Sequence, residues 1–435
     1  MKKILIISYF FPPCNLTASQ RADSWAKNLH KFGYYPIVIT RNWNHDIKNP
    51  FDTMKSSGEK VQHTKKESYE VYHLPYRANY RDEIYVKYEN SKFVLFRRLL
   101  TFFELLSQNF SNYFIPFKNI HRFTEDYLKN NNDIQGLIIS GNPFILFKFG
   151  YLLKKKFGIK WLADYRDEWN TSQIRPRQNS FEKLVSMFEQ LSERKWVHSA
   201  ETITSVSKQY VQNISKYVNK TGSVILNGFD KIDEAVERLK LFKEFTIVYN
   251  GMLYPYQNIE IFLDAFMMLI DNLKVKSSDG AQVNIKLYCP GLAYDKIQAS
   301  RVDERCTNYL NYIVITERIP KEEVMEIQMK SHLLLMIAHT NSKGTVPSKL
   351  YEYISLNKPI LLCPCDGNIM EETLKETGMG LYANTTEEAY EILNTAYTRY
   401  LSEDVTSMQA NKEAIEALTR ETQAKKLAEI LDTHF

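Results

Sequence analysis

The chain of 435 residues is poor in glycine and proline, with 15 and 14, and has only five cysteines. Scarce Gly and Pro beside 13% aromatic residues exclude collagen-like repeats and low-complexity disorder. Five cysteines over this length imply no disulfide framework, and Cys363-Pro364-Cys365 lacks the second Cys or His pair of a zinc site. No run reaches the roughly 18 apolar residues that a membrane helix needs. The opening Met1-Lys2-Lys3-Ile4-Leu5-Ile6-Ile7 stops at Pro12-Pro13 without a small-residue cleavage site, so it reads as a buried first strand rather than a signal peptide. G-x-G-x-x-G, the P-loop, H-E-x-x-H and C-x-x-C are all missing. Their absence argues against a nicotinamide enzyme, a P-loop NTPase and a zinc enzyme. None of the nine His stands in a catalytic pattern; His332 and His339 bracket an expected core strand and read as structural. A cytoplasmic protein, peripheral to a membrane at most, is expected.

Charge and aromatic residues, by contrast, are present and unevenly placed. The net charge is +5, but residues 1–230 carry 34 basic and 21 acidic side chains, whereas residues 231–435 carry 22 and 30. The first part is thus +13 and the second −8, and 39 of the 57 aromatic residues, with all five Trp, lie in the first. Such a dipole predicts an anionic surface or partner for the first part; no nucleic acid is expected.

Short apolar, β-branched runs alternate with helical patterns in both parts. They fall at 4–7, 37–40, 136–140, 161–164, 202–205 and 223–226, then at 245–249, 283–288, 312–315, 333–337 and 359–363. Runs without polar alternation suit strands covered on both faces. Helices between them imply βαβ crossovers, and hence two doubly wound parallel sheets. The hinge is placed at Asn227-Gly228-Phe229-Asp230, followed by a polar helix over 231–244, and a last helix is expected over 411–435. Residues 92–117 form an insertion. At 100° per residue Leu95, Phe96, Leu99, Leu100, Phe102, Phe103, Leu106 and Phe110 share one face, with Arg97, Arg98, Glu104 and Gln108 opposite. It reads either as ordinary packing or as an interfacial, lipid-tail-binding surface flanked by Arg77, Arg81, Lys87, Lys92 and Lys118.

Three segments can carry chemistry. The first runs Lys343-Gly344-Thr345-Val346-Pro347-Ser348-Lys349-Leu350-Tyr351-Glu352 between two strands. Pro347 and Ser348 suit a helix start, and such a terminus binds anions through its free N–H groups and dipole. Lys349 would add a cation for a diphosphate, and Glu352 a carboxylate for ribose hydroxyls. The second lies at the end of the strand 245–249, where Gly251 allows close backbone approach to a ligand. The third joins Ser140-Gly141-Asn142-Pro143 with Asp164-Tyr165-Arg166-Asp167-Glu168-Trp169, at the carboxyl ends of adjacent strands. There a carboxylate–Arg–carboxylate cluster would orient hydroxyls or an anionic acceptor, with Arg21 the cation of the first loop. A capped surface helix, a plain turn and a bracing ion-pair network are the respective alternatives.

In order and spacing these segments resemble glycosyltransferase family 4, the retaining nucleotide-sugar-dependent transferases of GT-B fold. The resemblance rests on residues 3–13, 25–33, 37–40, 140–143, 164–169, 205–207, 224–230, 249–254 and 347–361, and spans essentially the whole chain. It implies an α/β protein of two Rossmann-like domains facing each other across a cleft. Residues 1–229, with an insertion at about 85–125, would bind acceptor. Residues 230–410 would bind nucleotide-sugar, and 411–435 would pack back towards the first domain. It implies a hexosyltransferase that uses a UDP- or GDP-sugar without metal or other cofactor, because helix dipole and basic side chains stabilise the leaving diphosphate. Glu352 matches the second Glu of the family's E-x7-E motif. Ser348 and Lys349 would meet the diphosphate, Gly251, Leu253, Tyr254, Thr345, Val346 and Pro347 the donor, and Arg318 and Ile319 the base. Arg21, Ser140, Gly141, Asn142 and Pro143 would contact the acceptor, with Asp164, Arg166, Asp167 and Lys349 acting in the transfer.

Three positions depart from the pattern. Gly344 stands where the first Glu of the motif belongs. Pro255-Tyr256-Gln257 replaces the usual Arg and Lys after the glycine turn, and residues 12–21 lack paired glycines. The expected setting is assembly of a bacterial surface polysaccharide or glycan on a lipid-linked or glycan acceptor, at the inner membrane face. A GT-B nucleotide-sugar epimerase and a catalytically silent GT-B scaffold subunit are the alternatives; the first needs an acid/base set that the sequence does not offer, and Gly344 keeps the second open.

Overall fold

The computed structural model describes residues 1–435 except 45–46, 48–49, 90, 113, 173–179, 232–238, 277–282, 340–342 and 403–407. The helix expected over 231–244 falls mainly on 232–238, outside the described residues, as does the side chain of Phe110. The chain divides into two compact units, residues 1–227 with 420–435, and residues 228–419.

The first unit runs β1 (Lys2–Ser8), α1 (Ser19–Asn28), β2 (Tyr34–Arg41), β3 (Gln62–Lys65), β4 (Glu70–Leu74), α2 (Tyr80–Tyr88), α3 (Val94–Phe110), α4 (Lys118–Asn130), β5 (Ile134–Gly141), α5 (Leu146–Phe157), β6 (Trp161–Tyr165), α6 (Ser180–Val197), β7 (Thr202–Ser205), α7 (Lys208–Val218) and β8 (Gly222–Val224). Its sheet has the order β3-β4-β2-β1-β5-β6-β7-β8. All neighbours are parallel except the β3–β4 hairpin. The second unit runs β9 (Phe245–Val248), α8 (Glu260–Lys276), β10 (Ile285–Cys289), α9 (Lys296–Arg305), β11 (Ile313–Ile315), α10 (Lys321–Lys330), β12 (Leu333–Met336), α11 (Ser348–Ser355), β13 (Ile360–Leu362), α12 (Ile369–Thr377), β14 (Gly380–Tyr382), α13 (Thr386–Leu401) and α14 (Lys412–Ala417). Its sheet is wholly parallel, in the order β11-β10-β9-β12-β13-β14. The last helix, α15 (Arg420–His434), belongs to the first unit.

The uninterrupted apolar strands follow from two-sided burial. In β1, Leu5 and Ile7 enter one core cluster and Ile4 and Ile6 another, on opposite faces of the sheet. The second cluster is completed by Trp25 and Leu29 at the α1 side and by Leu427, Ala428 and Leu431 of α15. The helix expected over 411–435 is therefore broken in two: α14 stays with unit 2, and α15 with unit 1. Close packing on the other face is visible at Gly150 of α5, where an added Cβ would lie 2.7 Å from Ile139 and Trp161.

Three strands go beyond the sequence reading. β3 is polar and exposed throughout, β4 opens on a buried Glu70, and β14 has three residues, so none presents an apolar run. The insertion is also arranged against expectation. In α3 it is Leu95, Leu99 and Phe103 that face solvent, whereas Arg97 is buried with its guanidinium 3.9 Å from the Tyr85 ring centre. Glu104 is paired with Arg81 at 2.9 Å. The inner side of this helix mixes Arg97 and Glu104 with Phe102, Leu105 and Leu106, and the outer side mixes Arg98 with the exposed apolar residues. Among the described residues, no helix is long and apolar enough to cross a membrane.

Leu427→Ala removes a side chain with no exposure from the second core cluster. The expected loss is about 2–5 kcal/mol of unfolding free energy in a denaturant titration; a loss below about 1 kcal/mol would mean that α15 is not integral to unit 1.

Candidate functional site

In open parallel sheets, ligands bind outside the carboxyl ends of strands where the strand order reverses. In unit 2 that point lies between β9 and β12. Residues 249–258 leave β9 there, and residues 337–347 connect β12 to α11. Gly251 adopts φ +87°, open to glycine but strained for other residues, and its N–H donates to Pro290 O at 2.8 Å. An added Cβ there would meet nothing within 4 Å, so the space above the turn is clear. Asn250 N–H donates to the Tyr353 hydroxyl at 2.9 Å, which ties the turn to α11.

α11 begins at Ser348 after Pro347, a residue that has no side-chain acceptor for the first N–H groups. Lys349, in its first turn, donates from Nζ to Asn250 O at 3.1 Å and lies 4.6 Å from the Tyr249 ring centre. Burial drives its amine down to about 8, partly offset by Glu352. Next to it, His339 accepts or donates through Nδ1 to the Tyr256 hydroxyl at 3.0 Å, and burial with the Lys349 charge lowers its pKa to about 4. His339 is thus a neutral imidazole at physiological pH. Tyr254 and Tyr256 stack at 5.6 Å, and both rings lie within 6 Å of the His339 ring. In the sequence Tyr256 carried no role and His339 read as structural. Their signal is positional: each sits in one of the two loops that leave the reversal point.

The other expected donor residues occupy the same edge. Leu253 and Val346 are buried, Thr345 and Glu352 are half-buried, and Gly344 is buried at φ +82°. Arg318 and Ile319 follow β11, two strands from the reversal point, and the Arg318 guanidinium lies 4.1 Å from the Tyr294 ring centre. Cys363 and Cys365 are held as neutral thiols, with pKa values pushed up by burial to about 12 and 11. Among the described residues, no three His, Cys, Asp or Glu side chains form a metal-ligating group.

In unit 1 the expected cluster separates into two pairs. Asp164 has no solvent exposure and pairs not with Arg166 but with Arg21, itself buried. Arg21 Nη2 and Nε reach the carboxylate at 2.6 and 3.0 Å. Ser140 Oγ and Thr204 Oγ1 donate to it at 2.9 and 2.8 Å. Arg21 Nη1 donates to Ile225 O at 2.7 Å, and the guanidinium lies 4.8 Å from the Trp25 ring centre. Asp164 is therefore a bracing group rather than a reacting one. Arg21 and Ser140 are committed to it, not to an acceptor. Arg166 instead pairs with the exposed Asp167 at 2.9 Å and lies 5.6 Å from the Phe10 ring centre. Gly141 is buried, with its carbonyl accepting from Arg166 N–H, whereas Asn142 is exposed and Pro143 half-buried.

No family model and no curated protein matches the sequence. Solved structures do match over the full length. A trehalose-phosphate synthase from Burkholderia xenovorans, in complex with glucose-6-phosphate, is 12% identical; the match covers 99% of this chain and 100% of that one, with a TM-score of 0.61. A sucrose-phosphate synthase from Thermosynechococcus elongatus is 13% identical over 100% and 99% of the two chains, at 0.57. HepE from Anabaena, in complex with UDP and glucose, is 11% identical over 100% of both, at 0.55. At such identities the likeness establishes the fold: two parallel-sheet, Rossmann-like units of the GT-B kind.

Asp164→Ala leaves Arg21 buried without its carboxylate. It is expected to lower the stability of unit 1 by about 3–5 kcal/mol, read as a shift in the denaturant midpoint. A change below about 1 kcal/mol would remove the bracing role.

Proposed function

We propose that the chain is a glycosyltransferase that moves a sugar from a nucleotide-sugar, a UDP-sugar in the first instance, to a hydroxyl of a glycan or lipid-linked acceptor with retention at the anomeric carbon. The observation that carries this reading is the placement of Lys349 at the open N-terminus of α11, beside the Gly251 turn at the reversal point of unit 2. Free N–H groups and an amine together suit a diphosphate. In the transfer, the bond from the anomeric carbon to the diphosphate oxygen breaks and the acceptor oxygen bonds to that carbon. The acceptor proton passes to the departing phosphate. Helix terminus and Lys349 stabilise the charge that develops on the leaving group, the role otherwise given to a metal. Glu352, one turn into α11, would hold the ribose, and Arg318 on Tyr294 would bound the base. Solved neighbours held with UDP and glucose, or with glucose-6-phosphate, support the reading.

The proposed setting is bacterial surface polysaccharide or glycan assembly at the inner membrane face. Two observations support it: the outward apolar face of α3 and the +13 balance of residues 1–230. Gly344, buried at φ +82° where the resemblance expects a carboxylate, favours a silent scaffold subunit as the second reading. Turnover with a donor panel and a lipid-linked acceptor would eliminate it.

The amine of Lys349 is charged below about 8 and neutral above it. UDP affinity is therefore expected to fall as pH rises from 7 to 9.5, because a diphosphate favours the protonated amine. Lys349→Met should bind at least about tenfold more weakly at pH 7, roughly 1.4 kcal/mol, and lose this pH dependence. Glu352→Ala should weaken UDP more than free pyrophosphate. If the wild type binds no nucleotide or nucleotide-sugar by calorimetry, the reading fails.

The membrane component is tested separately. The protein is expected to sediment with anionic liposomes and to dissociate at high salt. Replacing Phe96, Leu99 and Phe103 with serine should weaken sedimentation while UDP affinity stays unchanged. Equal sedimentation of variant and wild type would remove α3 from the membrane contact.

A further inference from the structure

Unit 1 also contains a cavity of about 770 Å³, within the roughly 300–1,000 Å³ of small-molecule sites. It lies where the strand order of the first sheet reverses, between β1 and β5. Tyr9 and Phe10 after β1 and Asn142 and Pro143 after β5 line it. Trp169, Trp196 and the inner side of α3 close it further.

Several of the charged groups around this cavity are paired. The Tyr76 hydroxyl donates to Asp82 at 2.6 Å, Arg81 reaches Asp82 at 2.7 Å and Glu104 at 2.9 Å, and Asn213 donates to Glu168 at 2.9 Å. Four carboxyl side chains, Asp82, Glu104, Glu168 and Glu189, stand against one cation, Arg81. Burial holds Glu104 and Glu168 above the usual carboxyl range. An anion brought here would meet more negative than positive charge. Most of the remaining lining is ring and aliphatic carbon, with Thr53, Gln108, Asn142, Ser172 and Ser192 among it. A pocket lined mainly by such carbon suits an apolar ligand segment. Phe102, Leu105 and Leu106 of α3 line the cavity, while Leu95, Leu99 and Phe103 of the same helix face solvent. α3 thus offers apolar carbon both inside and outside.

We infer that this cavity binds the uncharged hydrocarbon portion of the acceptor, an acyl or isoprenoid chain, and thereby delivers the attached hydroxyl-bearing group to the carboxyl end of β5. The acceptor role rests on the proposed transferase function; the ligand class rests on the cavity alone. Calorimetric titration of the full chain with farnesol and with dodecan-1-ol, below their aggregation limits, separates isoprenoid from straight-chain ligands. Saturable one-to-one binding of at least one is expected. Leu106→Trp should weaken it at least tenfold by filling the cavity, and Val185→Trp fills it from α6 should the first variant not fold. Leu99→Ser/Phe103→Ser, which alters only the outer face, should leave it within twofold. Farnesyl diphosphate should bind no more tightly than farnesol.

Three outcomes overturn the inference: no saturable binding of either alcohol, loss of binding in the outer-face variant but not in the filled ones, or tenfold tighter binding of the diphosphate. UDP titrated onto the same samples separates the two claims. Alcohol binding without UDP binding overturns the donor reading and upholds the cavity's ligand; UDP binding without alcohol binding does the reverse.

Discussion

The carboxyl edge of unit 1 depends on one buried ion pair. A guanidinium and a carboxylate without access to water are tolerable only when nearly every donor and lone pair is used. Arg21 and Asp164 meet that condition by recruiting α1, the ends of β5, β6 and β7, and the carbonyls that follow β8. The segment after β8 is held again where Leu226 N–H donates to Gln423 of α15. The loops that leave these strands, with Asn142, Pro143, Glu168 and Trp169, start from anchored positions. A charge that looks catalytic in the sequence is thus held inside the fold, and the loops at this edge depend on it.

The two units solve opposite electrostatic problems at equivalent places in their sheets. Unit 2 is acidic overall, yet it puts an amine and a helix terminus at its reversal point. Unit 1 is basic overall, yet its reversal point opens on rings, aliphatic carbon and carboxyl groups. Net charge therefore says little about either site. At close range, a few desolvated groups outweigh distant surface charges that solvent and salt screen. This is why the bulk +5 of the chain is uninformative and the position of Lys349 is not.

Much of the fold was legible because two-sided burial writes itself as continuous apolar runs, as in Ile4 to Ile7 and Leu333 to Met336. The strands that escaped were those whose stability comes from neighbours: β3, all polar, exists because β4 supplies its ladder. The candidate diphosphate site was legible as a local pattern, since Pro347, Ser348 and Lys349 are adjacent in sequence. The brace was not, because Arg21 and Asp164 are far apart in the chain and sequence placed Asp164 with its near neighbour Arg166. His339 and Tyr256 were missed for the same reason. The insertion misled differently. Periodicity located the helix α3 but not its faces: Phe102 and Leu106, expected beside Leu99 and Phe103, turn inward, and Arg98, expected beside Arg97, turns outward.

The return of α15 to unit 1 has a consequence for synthesis. Leu427, Ala428 and Leu431 cover the side of the first sheet that Ile4, Ile6 and Trp25 leave apolar. These three residues are translated after all of unit 2. While the ribosome makes residues 228–419, unit 1 has all its strands, but one face of its sheet is covered only in part, by residues on and beside α1 such as Trp25 and Leu29. Unit 2 can therefore reach its complete core first, although it is made second. Completion of the first unit's core thus waits for the last helix, and until then its nascent sheet keeps part of an apolar face exposed.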